Sequence, residues 1–166
     1  TIKILGSNAL SSKYTTISLA AQTTITGGGT LYVKSDRDCA LYANGVDLAI
    51  DNCQVNAESS TYAIAGSDGT RETLTINNAM VTAEGKENGS ICDFANVMLV
   101  GCDIIQPAGA AFDSDLHGIA LNGAIVTSKV IIGDPSSIQA PVIDAAAKRG
   151  IYTLSGVQLK TDVKDL

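Results

Sequence analysis

The chain has 166 residues, with 11 Lys and Arg against 17 Asp and Glu, for a formal net charge of −6. Apolar residues at 45% with only 17% charged exclude a disordered tail, and a pI near 4.5 excludes a protein held to nucleic acid through phosphates. The length suits one domain with a real core, and no apolar run approaches the ~18 residues that cross a bilayer.

In chain order, Ile2-Lys-Ile-Leu-Gly-Ser-Asn-Ala-Leu10 reads as short alternating strands around a small-residue bend. Thr1 leads straight into it, without the pattern of a signal peptide. The same phrase returns as Ile25-Thr-Gly-Gly-Gly-Thr-Leu-Tyr-Val33, Leu48-Ala-Ile-Asp-Asn-Cys-Gln-Val-Asn-Ala57, Leu74-Thr-Ile-Asn-Asn-Ala-Met-Val-Thr-Ala83 and Val97-Met-Leu-Val-Gly-Cys-Asp-Ile104. Between them lie further strands: Ile17-Ser-Leu19, Leu41-Tyr-Ala43, Tyr62-Ala-Ile64 and Ile91-Cys-Asp-Phe94. Most end at a turn signal such as Asn44-Gly45 or Gly66-Ser-Asp-Gly69. The anchors Ile4, Ile25, Ile50, Ile76 and Leu99 stand 21, 25, 26 and 23 residues apart.

No helical period occurs in residues 1–133. A repeat in the twenties built only of short strands predicts an all-β chain, a parallel β-helix (solenoid) of about five coils. At ~4.8 Å per coil it is a stub roughly 24 Å long. The runner-up is an antiparallel β-sandwich, which needs no recurrence of the same bend in register; a solenoid does, because its turns stack. The aromatic content of 4% suits thin layers of small branched side chains.

Four cysteines and one His, with no Cys-x-x-Cys spacing, argue against zinc. Cys53, Ala79 and Cys102 share a bend position, so Cys53 and Cys102 fall two coils, roughly 9.6 Å, apart. That exceeds the ~7 Å reach of a disulfide, and free buried thiols are the expectation. Asn52, Asn77 and Asn78 recur at the bend and predict a stacked amide ladder. After Ile132 the pattern breaks. Residues 134–149 read as a linker, and 150–166 as a separate, incomplete β element with Ser155-Gly156 in its turn.

Arg149-Gly-Ile-Tyr-Thr-Leu-Ser-Gly-Val-Gln-Leu159 resembles the opening of the C-terminal sorting domain of bacterial surface proteins exported by the type IX route. Its usual continuation is absent, so residues 150–166 are expected to be its truncated start. Ile25-Thr-Gly-Gly-Gly-Thr-Leu31, Leu48-Ala-Ile-Asp-Asn-Cys53, Gly89-Ser-Ile-Cys92 and Gln106-Pro-Ala-Gly-Ala-Ala-Phe112 resemble the coils of adhesin-like, carbohydrate-binding surface proteins of gut and oral bacteria. The resemblance implies a right-handed β-helix, an extracellular or cell-surface location, and an adhesive role with no catalytic motif.

Polysaccharide-processing β-helix enzymes need clustered carboxylates and a cationic base. Asp113-Ser-Asp115-Leu-His117, with Asp93 and Asp103 one coil earlier, is the best local match. No Lys or Arg lies between Lys86 and Lys129 to neutralise a uronate, and a solvated turn explains the run equally. A Ser/His/Asp triad at His117 lacks the Gly-x-Ser-x-Gly elbow. The acidic loops at Asp36, Asp38, Asp47 and Asp51 lack the Gly/Asp nonapeptide of calcium-binding repeats. Gly27-Gly28-Gly29 is a corner without the Lys-Ser/Thr of a phosphate loop.

Glycan stacking needs exposed aromatics; Tyr42 and Tyr62 lie in equivalent strands and are expected to form a column if Leu41, not Tyr42, faces inward. The candidate ligand-binding residues are therefore Tyr42, Tyr62, Asp113, Asp115 and His117. No catalytic residue, metal or cofactor is assigned. The expected function is a non-enzymatic surface module contacting glycans or partner proteins, with edge-to-edge self-association of bare coils. The alternatives are an accessory or degenerate polysaccharide-processing enzyme and a structural stalk.

Overall fold

The computed structural model describes residues 1–137 and the backbone of two later strands, Ile151–Tyr152 and Gln158–Leu159. The linker expected over 134–149 falls largely outside the described residues, as does the Ser155-Gly156 turn.

Alternation of apolar and polar residues builds three strands per coil. The first coil holds β1 (Ile2–Lys3), β2 (Ser7–Ser12) and β3 (Ile17–Ser18); the second holds β4 (Thr23–Thr26), β5 (Thr30–Ser35) and β6 (Cys39–Tyr42). The third has β7 (Leu48–Asp51), β8 (Gln54–Ser59) and β9 (Tyr62–Ala65); the fourth has β10 (Thr73–Asn77), β11 (Met80–Gly85) and β12 (Gly89–Cys92). Equivalent strands pair in parallel, coil on coil, into three sheets. The chain is thus a parallel β-solenoid, not a sandwich, with β13 (Asn96–Val100) beginning a fifth coil on β10.

The register fills the interior with continuous columns. Ile25, Ile50 and Ile76 stack on one sheet, Leu31, Val55 and Val81 on the second, and Leu41, Ile64 and Ile91 on the third; all are buried. Ile2, not Ile4, stands opposite Ile25. Ile4 is buried at the first corner instead, its carbonyl accepting from Gly29 N at 3.2 Å. The Gly-Gly-Gly corner equals the first corner in length and is one residue longer than the Asp51–Gln54 corner.

The corners recur for physical reasons. Asn52 and Asn78 hold φ of 48° and 44°, left-handed conformations that Asn tolerates better than most residues. Their side chains do not form a simple amide stack: Asn78 Nδ2 donates to Asn77 Oδ1 (3.0 Å), Asn77 Nδ2 to Asp51 Oδ1 (2.7 Å), and Asn52 Nδ2 to the same oxygen (2.9 Å). Asp51 is the acceptor that ties two coils together. At the next corner Ser35 and Ser59 are buried, and their hydroxyls satisfy local backbone groups.

The fifth coil departs from the pattern, so the solenoid has four full coils rather than five. β14 (Asp103–Gln106), β15 (Ala111–Asp113), β16 (Gly118–Leu121) and β17 (Ala124–Ile125) lead to β18 (Val130–Gly133). β18 inserts antiparallel between β11 and β14. Val130 and Ile132 face Ala83 and Val81 and extend their columns, so the core closes under a strand of opposite direction. β15–β17 form an antiparallel meander beside the third sheet. The N-terminal end has no such cover among the described residues: β1, β2 and β3 are sheet edges, and Leu5 and Leu10 are 66% and 49% exposed. Beyond the solenoid, β19 (Ile151–Tyr152) pairs antiparallel with β20 (Gln158–Leu159). No helix among the described residues is long and apolar enough to cross a membrane.

Candidate functional site

Alternation in the third sheet sends Leu41, Ile64 and Ile91 into the core and leaves Tyr42, Tyr62, Ala65 and Cys92 on its outer face. There a concavity of about 310 Å³ opens, lined by Tyr42, Tyr62, Cys39, Ala65, Gly66, Ser67, Thr15, Asp38 and Asp93. Tyr42 pairs with Ala65, and Tyr62 with Cys39. The two rings therefore do not share a column; they stand diagonally, one at each end of the short strands, with the small residues Cys39 and Ala65 between them. Both are half-buried.

Polar groups sit at each end of this groove. At one end Asp38 Oδ2 accepts from Thr15 Oγ1 at 2.5 Å. At the other, Tyr42 Oη donates to Ser67 Oγ at 3.4 Å, beside Asp93. Beneath Ser67 lies Glu72, 1% exposed. Its Oε1 accepts from the Ser67 amide, while its Oε2 is buried without a partner. Burial pushes the Asp93 carboxyl above the usual carboxylate range; a weak bond from Cys92 Sγ (3.8 Å) opposes the rise and Glu72 adds to it. Burial pushes the Cys39 thiol up to about 12, with Asp38 and Asp93 adding to it, so it stays protonated and unreactive. Burial and Asp93 likewise raise the Tyr62 phenol, which remains a hydrogen-bond donor.

The Asp113–His117 run divides. Asp113 Oδ1 accepts from the amides of Asp115 (2.9 Å) and Leu116 (3.1 Å), closing the turn between β15 and β16. Asp113 and Asp115 thus belong to a local turn and do not line the groove. His117 turns back: its carbonyl accepts from Phe94 N at 3.0 Å, and its ring packs on Gly69, where any side chain would meet imidazole Cγ at 2.4 Å. That contact sets it near Asp93, whose carboxyl it draws downward, and its Nδ1 is buried without a partner. Asp103 stands exposed on the edge strand β14.

Glu72 carries no sequence signal, being one polar residue in a loop. Asp93 does carry one. The register makes it the successor of Ala43 and Gly66, so a carboxylate replaces small apolar residues in that column. All four cysteines are free, and Cys53 and Cys102 repeat one contact, donating to Ile25 O (3.4 Å) and Ile76 O (3.3 Å). Among the described residues no three His, Cys, Asp or Glu side chains are placed to hold a metal ion.

No family model matches the chain, and neither a curated protein nor a solved structure matches it. One other concavity competes. On the outer face of the second sheet about 450 Å³ is lined by Tyr32, Lys34, Asn56, Glu58, Glu84 and Lys129 among others. There the charges answer one another, Lys34 and Lys86 reaching Glu58 at 3.5 and 3.8 Å. The groove on the third sheet combines two aromatic rings with polar groups at both of its ends, which makes it the better ligand site.

Proposed function

We propose that the chain is a non-enzymatic surface module that holds a glycan in the groove between Tyr42 and Tyr62. The observation that carries this reading is the pair of half-exposed rings around a concavity of about 310 Å³, at the small end of ligand sites, which run from about 300 Å³. A tyrosine offers an apolar face for the C–H side of a sugar ring, and Ser67, Thr15, Asp38 and Asp93 offer polar partners for its hydroxyls. The Asp113 carboxyl is engaged in its own turn, and neither Asp113 nor Asp115 lines the groove. The location belonging to this reading is the outside of a bacterial cell, in keeping with the resemblance of the coils and of the Arg149–Leu159 run.

A glycan array probed with the purified chain tests the proposal. Selective binding is expected, weakened about tenfold or more by Tyr42→Ala or Tyr62→Ala, which corresponds to ~1.4 kcal/mol per ring. Asp113→Asn should leave it unchanged. Binding that ignores both tyrosines, or none at all, would leave the structural stalk as the better account.

A further inference from the structure

Resting on the glycan reading, the geometry points to a more specific ligand: a sugar that carries a free amine, seated with its ammonium at the Asp93 end of the groove.

The chemistry at that end is one-sided. Asp93 lines the cavity, and among the described residues its carboxylate accepts one hydrogen bond, the long one from Cys92 Sγ at 3.8 Å. Directly behind the Gly66–Ser67 floor, Glu72 is 99% removed from solvent, yet Oε2 has no donor among the described residues. That oxygen lies behind the floor and outside the groove's lining, so Glu72 contributes its charge through the floor rather than a contact in the groove. Its other oxygen is held by the Ser67 amide, and a side chain at Gly66 would stand only 2.7 Å from it. The carboxyl is thereby fixed against the backbone that forms the cavity floor.

The group that fits is a donor, not an acceptor. Carboxylates accept only, whereas an ammonium brings three N–H donors and a positive charge. Among the residues lining the cavity there is no Lys or Arg to supply either. Tyr42 stands beside this end and Tyr62 lies near enough to feel the Asp93 charge, and a cation beside an aromatic ring is further stabilised. An anionic sugar, a uronate for example, would meet Asp38 and Asp93 with like charge. A metal ion is the other candidate for such oxygens, and no three ligating side chains converge here. Burial first, and Glu72 with it, raises the Asp93 carboxyl above its usual range even though Cys92 and His117 pull it down.

The experiment compares binding of glucosamine oligomers with that of the same oligomers fully N-acetylated, by titration calorimetry at physiological ionic strength. A preference of tenfold or more for the free amine is expected, falling to less than threefold in Asp93→Asn while Tyr42→Ala weakens both ligands. Glu72→Gln, which keeps the Ser67 bond, should lower the preference without removing binding. Asp103→Asn removes one exposed carboxylate away from the groove and should change nothing; an equal loss there would assign the effect to net charge and overturn the inference. Equal binding of both oligomers, still dependent on the tyrosines, would overturn the amine but keep the glycan reading. Absence of any glycan binding would overturn both, as would capture of a lysine peptide in preference to every sugar. Melting curves of each variant separate lost binding from lost folding.

Discussion

At Asp93 a side chain works against the fold that holds it. Burial first, and Glu72 with it, raises its carboxyl above the ordinary value, although Cys92 and His117 pull the other way. A carboxyl raised on folding binds its proton more tightly in the native state. Its cost is absent below the ordinary carboxylate range of about pH 4 and is fully present once pH exceeds the raised value. Asp93→Asn should therefore melt with the parent at about pH 3.5 and above it at neutral pH, as differential scanning calorimetry can show. The groups facing it are Glu72, His117, Cys92, Cys39 and the Tyr62 phenol. A melting difference equal at both pH values would remove Asp93 as the titrating group.

At the scale of the strand, the interior columns carry the stability. Ile50 is fully buried between Ile25 and Ile76, so Ile50→Ala leaves a cavity that the stacked coils cannot close, at a cost of ~2–5 kcal/mol. Ser59→Ala keeps the column but strips the corner of a hydroxyl that donates to Asp38 O and accepts from Thr61 N at 3.0 Å, a smaller loss of ~1–3 kcal/mol. Denaturant melts of the two variants should rank in that order. Such columns were legible in the sequence because a strand with one face in the core must alternate, and every coil repeats the alternation. Leu41 facing inward and Tyr42 outward is the choice alternation left open, and packing decided it. The diagonal placing of Tyr42 and Tyr62 was not legible, because the loops before β6 and β9 differ in length. Nor was Glu72, whose burial depends on a loop folding over it, with nothing periodic to announce it.

Across the whole molecule the two ends are unlike. Parallel stacking leaves an unpaired row of amides and carbonyls at each end; at one of them antiparallel β18 covers β11 and passes the edge of that sheet to β14. The sequence predicted coils but not this reversal, since Val130-Ile-Ile-Gly133 reads as another strand of the same series. Direction is set by the meander that precedes it, and a meander three strands long has no counterpart in the earlier coils to reveal it. The groove lies on the flank of the solenoid, running from Thr15 in the first coil to Asp93 at the end of the fourth.

The reversed strand also orders events in time. Each pairing within the solenoid joins residues one coil apart, as in Ile50 to Ile76, whereas Ala83 meets Val130 and Val81 meets Ile132 only after two further stretches of chain have been laid down. Closing the longer loop costs more chain entropy before any contact rewards it. Coils should therefore zip first and the lid strand dock last, a sequence that pulsed hydrogen exchange during refolding can follow. Early protection is expected at Ile50 and Ile76 and late protection at Val130 and Ile132; simultaneous protection would show one concerted step. A chain emerging from its ribosome would meanwhile keep β11 as an open, growing face until β18 arrives.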